Sequence, residues 1–71
     1  MSRITLNDIE ASLGGHGARV YLARCTGVSP QAVVGWWRRG RIPAKHSPTI
    51  ARLTGYSIEQ VIKARNENHP Q

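Results

Sequence analysis

A chain of 71 residues is enough for one domain, and a domain of that size buries only ~60% of the surface its unfolded form exposes, which excludes a large core. Ten Lys and Arg against four Asp and Glu give a formal charge of +6 and a pI near 10.8, the balance of a protein that meets polyanions. The single cysteine, Cys25, excludes an internal disulfide and a thiolate zinc site, and His16, His46 and His69 are too scattered to hold a metal.

Charge is unevenly spread. Asp8, Glu10, Glu59 and Glu67 lie towards the two ends, and between residues 11 and 58 there are seven basic side chains and no acidic one. No apolar stretch is long enough to span a membrane and no signal-peptide layout is present, so a reducing, cytoplasmic setting is expected.

Ile4, Leu6, Ile9 and Leu13 recur at helical spacing, and Thr5 with Asp8 has the form of a capping box, with Ile4 and Ile9 as its hydrophobic staple. The spacing predicts a first helix from about Leu6 to Leu13, broken by Gly14-Gly15-His16-Gly17. A second helix follows over roughly Ala18 to Cys25, with Leu22 and Ala23 inward and Cys25 a small buried hydrophobe. Gly27 suits the left-handed backbone of a tight turn, and Val28 pins that turn to the core. Ser29 then caps a third helix opened by Pro30, whose φ is preset and which has no N–H to satisfy. This helix is expected to reach about Arg39, bury Val33 and Trp36, and stop at Gly40. Trp37 points away from that face and reads as an indole at an interface, either with a second protomer or with the fourth helix of the same chain.

Arg41-Ile42-Pro43 is a turn. A fourth helix is expected from near Pro43 or Ala44 with Pro48 in its first turns, although Ser47-Pro48 repeats the cap pattern of Ser29-Pro30; Gly55 ends it. Ser57 with Gln60 forms a second capping box, and Ile58, Val61 and Ile62 give a fifth helix one apolar face. Residues 67–71 read as a flexible tail. The expected architecture is all-α: a compact four- to five-helix bundle, one domain over residues 1–66, built around a helix-turn-helix.

Leu22 and Ala23, then Gly27-Val28-Ser29-Pro30-Gln31-Ala32-Val33 and Trp36, followed by Gly40-Arg41-Ile42-Pro43, resemble the small phage Cro repressors and the related YdaS-type regulators. The resemblance runs from about Arg19 to Gly55 and keeps the order of cap, turn and stop. It departs at Gly14 to Ala18, which is lengthened, and at Val34-Gly35, which replaces a polar pair often found in the middle of the recognition helix. It implies a transcriptional repressor of phage or prophage origin, in a bacterial cytoplasm or nucleoid, that binds a two-fold symmetric operator as a homodimer.

In a helix-turn-helix the second helix lies in the major groove and its outward N-terminal residues meet base edges. Here those are Ser29, Gln31, Val34, Gly35 and Arg38. Gln31 can pair bidentately with adenine, worth ~1–3 kcal/mol against the wrong base, and Val34 can pack on a thymine methyl. Gly35 costs a helix about 1 kcal/mol relative to alanine, and it lets the backbone sit close to the groove floor. Arg39 and Arg41 are placed to reach phosphates, Arg19 to join the start of the second helix on another, and Lys45 and His46 to extend that rim. Trp37, Ile58, Val61 and Ile62 are the dimerisation candidates, since a chain this short leaves apolar surface for a second copy to cover.

No nucleophile with its base, paired carboxylates, phosphate-cradling glycine loop or metal constellation is present. The sequence therefore points to double-stranded DNA binding rather than to an enzyme, with no cofactor, small-molecule ligand or membrane. Two alternatives use the same residues. An antitoxin-like or anti-repressor module would contact a protein through this fold, and would carry a hydrophobic patch rather than an acid-free basic face. An RNA binder would need a stacking surface beyond the tryptophans.

Overall fold

The computed structural model describes residues 3–66, so the expected tail at 67–71 lies outside the described residues. Five helices follow in order: α1 (Leu6–Ser12), α2 (Ala18–Thr26), α3 (Pro30–Arg39), α4 (Ser47–Thr54) and α5 (Ile58–Lys63), with a 3₁₀ turn at Ala44–His46 leading into α4. Among the described residues there is no strand, and no helix is long and apolar enough to cross a membrane.

Local chemistry sets the helix ends. Thr5 Oγ1 accepts the Asp8 N–H at 3.1 Å while the Asp8 carboxylate accepts the Thr5 N–H at 2.9 Å, and Ser57 with Gln60 repeats the reciprocal pair at 3.0 Å each way. Each box satisfies two N–H groups that a helix start leaves without partners. Between α2 and α3, Gly27 adopts φ +77°, and the N–H groups of Gly27 and Val28 both donate to the Ala23 carbonyl, at 2.9 and 3.1 Å. A Cβ resists that left-handed backbone, which makes glycine the fitting residue there. Ser29 Oγ accepts the Ala32 N–H at 3.2 Å and fixes the direction in which α3 leaves the turn.

α2 packs on α3 and α4 on α5, contacts between α2 and α4 join the two pairs, and α1 lies on α2. Leu6, Ile9, Leu22, Val33, Ile50 and Val61 are fully buried at the centre. Trp37 belongs to this core, only 8% exposed, which corrects the expectation that a second protomer would cover it and leaves the alternative of burial within its own chain. It follows Val33 by one turn on the same side of α3, and the Arg19 guanidinium lies over its ring at 5.4 Å from the centroid.

α5 also differs from expectation. Val61 is fully buried beside Ala64, whereas Ile58 and Ile62 are 48% and 39% exposed, so the three aliphatics do not form one free face and Val61 is unavailable to a second copy. The chain end fixes this rotation: the Leu6 N–H donates to the Arg65 carbonyl at 3.0 Å, within an isolated parallel bridge between Thr5 and Arg65. Cys25 is exposed, not buried; it sits one turn from Tyr21 on the outer side of α2, and hydrogen bonding to its thiol pushes the Tyr21 phenol above its ordinary value. Ser47 is the first residue of α4 and not its cap, because the 3₁₀ turn already starts the helical path at Ala44; its hydroxyl is buried without a partner.

Candidate nucleic-acid interface

The buried stripe of α3 faces α2, and the opposite side of α3 is open to solvent. Pro30, Gln31, Val34, Gly35 and Arg38 line a shallow groove of about 320 Å³ there. Four of the five expected base-contacting residues are thus brought together. Ser29 stands apart, since its hydroxyl is committed to the cap of α3. A Cβ built at Gly35 would meet only Arg39 Nη1, at 3.5 Å, so nothing inside the protein demands glycine at that position.

Val34 also borders a wider groove of about 570 Å³ lined by Glu10, Gly15, His16, Gly17, Arg19 and Val20, so the loop before α2 opens beside the outer side of α3. Arg19 is less available than its sequence position implies: its guanidinium lies 3.7 Å from the Glu10 carboxylate and over the ring of Trp37. Folding brings an acid to this side although the sequence between residues 11 and 58 contains none. The pair is partly exposed, and such pairs contribute at most ~1 kcal/mol.

Arg38, Arg39 and Arg41 are exposed at the C-terminal end of α3, and Lys45 in the 3₁₀ turn; none takes part in an ion pair among the described residues. His46 departs from this rim. It is half-buried with its ring 5.1 Å from that of Trp36, and burial, helped by the charge of Lys45, lowers its pKa below the ordinary 6.5. A neutral imidazole held against an indole is a poor phosphate anchor at pH 7. Because the folded-state value is depressed, this group's contribution to stability is present above pH 6.5 and is lost as pH falls through the lower folded value. Thermal melts should therefore show lower stability at about pH 5.5 than at about pH 7.5, and His46→Gln should flatten that difference. An unchanged pH dependence in His46→Gln would assign it to another group.

Three basic residues that sequence reasoning did not single out join the surface. Arg65 lines a cavity of about 300 Å³ with Arg39, Arg41, Ile42, Pro43 and Ile62, and a neighbouring one of about 330 Å³ with Arg3 and Lys63. The Arg65 Nη1 donates to the carbonyls of Ile62 and Ala64 at 3.0 and 2.8 Å, so its fork is fixed in direction. No local signal marks these residues, since the Thr5 to Arg65 bridge is what gathers them. Among the described residues no group of three His, Cys, Asp or Glu is placed to hold a metal ion.

Residues 9–62 match the model of a family described as the bacterial toxin YdaS. The matched span begins in α1 and ends in α5, so it contains both helices of the helix-turn-helix and leaves Arg3, Lys63 and Arg65 outside. No curated protein and no solved structure matches the chain.

Proposed function

This chain belongs to the YdaS family, which makes it a small bacterial or prophage regulator or toxin–antitoxin-like protein, and from that premise we propose that it is a sequence-specific double-stranded-DNA-binding repressor of the Cro type. The observation that carries the reading is the outer side of α3: an adaptable amide, an apolar contact, a bare backbone and an arginine share one groove, and unpaired arginines follow it. That set matches what a major groove presents. Gln31 and Arg38 read base edges, Val34 meets a thymine methyl, and Gly35 lets the helix sit deep. Arg39, Arg41 and Lys45 hold phosphates. Arg19 joins them where a phosphate displaces Glu10, a weak competitor on a wet surface. Two copies occupy half-sites about one helical turn apart, with the exposed Ile58 of α5 available for contact between them.

A second reading is supported by the toxin named in the family description: a module that acts through a protein partner, covering the exposed Val20 and Tyr21 of α2. Selection of bound sequences from a random duplex pool separates the two. A repressor enriches a two-fold symmetric site. On that site Gln31→Ala should lose ~1–3 kcal/mol and relax preference at one base pair, while Arg39→Ala or Arg41→Ala should weaken all duplexes alike. A pool that enriches nothing favours the protein-partner module.

A further inference from the structure

We infer that Arg65, Arg3 and Lys63 extend the duplex-binding surface past Arg39 and Arg41, and that the cavities they line take the phosphodiester backbone beyond the bases that α3 reads. The inference rests on the duplex-binding reading above and extends it to a surface formed by both ends of the described chain.

Like charges gathered on so small a surface repel one another unless a polyanion neutralises them. Of the described acids only Glu59 neutralises a member of the cluster, Lys63, and Arg3, Arg39, Arg41 and Arg65 have no acidic partner among the described residues. Asp8 is held in the α1 capping box, Glu10 pairs with Arg19, and Glu59 reaches only Lys63, at 2.9 Å on an exposed surface. Arg65 is also prepared for a ligand. Two backbone carbonyls fix one nitrogen of its guanidinium, which leaves the remaining donors of a rigid fork for phosphate oxygens, to which that geometry is suited.

Continuity decides the class of ligand. Arg39 lines the cavity that holds Arg41 and Arg65, and its Nη1 lies 3.5 Å from where a Cβ on Gly35 would stand, so through Arg39 the cavity adjoins the groove that holds Gly35 and Arg38. Arg65 in turn lines the neighbouring cavity with Arg3 and Lys63. A strip of this kind follows an extended polyanion. An acidic protein segment would want an apolar anchor pocket as well, and Ile62, Ile42 and Pro43 supply only a shallow floor beneath the guanidinium groups.

The test is the salt dependence of binding to the selected duplex, read by fluorescence anisotropy with the full chain. The variants are Arg65→Gln, Arg65→Lys and the double change Arg3→Gln with Lys63→Gln, with folding checked by circular dichroism. Arg65→Gln and the double variant should each lower the log–log salt slope by ~0.9 for every phosphate that a protomer no longer neutralises, and weaken binding several-fold. Base preference should stay unchanged, and Arg65→Lys should restore the slope. Should Arg65→Gln unfold, because its guanidinium also holds backbone carbonyls, the double variant decides. Wild-type slopes in the folded variants overturn the inference and leave the repressor reading standing, provided Gln31→Ala still relaxes preference. A wild-type chain that binds no duplex overturns both. Tighter binding of a poly-glutamate peptide than of duplex, abolished in the same variants, would transfer the site to an acidic protein partner and overturn it as well.

Discussion

Trp37→Ala should unfold most of the protein. The indole is a core side chain, and truncating a buried tryptophan costs ~3–5 kcal/mol through forfeited transfer energy and the cavity left behind. At ~0.05–0.15 kcal/mol per residue, a domain this short has a total stability of the same order, so little margin remains. Urea titration followed by circular dichroism should show the midpoint collapsing. Trp37→Phe behaves differently: the indole Nε1 is buried without an acceptor, so phenylalanine keeps most of the ring packing and removes an unpaired donor. We expect it within ~1 kcal/mol of wild type. An interface tryptophan would give the opposite pattern, with Trp37→Ala folded normally and altered only in mass or affinity; that result would place Trp37 outside the core.

The sequence already contained the information that places Trp37 inside. Val33, Trp36 and Trp37 stand at i, i+3 and i+4, the full width of a core-facing stripe, and reading only the first two as the face made the third look exposed. Caps were legible for a related reason: Thr5 with Asp8, Ser29, and Ser57 with Gln60 act on groups within one turn, so neighbouring residues specify them. α5 was harder. Six residues are less than two turns, and Ile58, Val61 and Ile62 fit a single face as well as Val61 with Ala64 does until the distant bridge from Thr5 to Arg65 fixes the rotation. The expectation for Cys25 followed the usual preference of thiols for the interior, whereas the buried stripe of α2 is Ala18, Leu22 and Ala23 and Cys25 stands outside it.

The same distinction divides the candidate interface. Its centre on α3 could be read because the outward positions of an amphipathic helix are the complement of its buried ones. Its edges could not. Arg19 is drawn to Glu10 of α1 and His46 to Trp36 of α3, and Arg3, Lys63 and Arg65 meet only after the two ends of the described chain are side by side. Contacts between elements that are far apart in sequence leave no periodic trace, and they decided which cations are available.

Gly35 offers a change whose effects on folding and on binding have opposite signs. In the middle of α3 a glycine costs about 1 kcal/mol relative to alanine, and an added Cβ meets only the flexible end of Arg39, at 3.5 Å. Gly35→Ala should therefore raise stability by about that amount. If the helix backbone lies close to the groove floor, the same methyl must push it outward and lengthen the bonds made by Gln31 and Arg38 on either side. We expect Gly35→Ala to bind the selected duplex about tenfold more weakly, ~1.4 kcal/mol, and the bulkier Gly35→Gln about a hundredfold more weakly. Misfolding cannot produce that combination, because a more stable protein that binds less has given up complementarity and not structure. Non-specific binding, carried by Arg39, Arg41 and Lys45, should fall much less than binding to the preferred site. A Gly35→Gln protein that retained wild-type affinity would show that the α3 backbone stands clear of the bases, and the seating of α3 in the major groove would have to be abandoned.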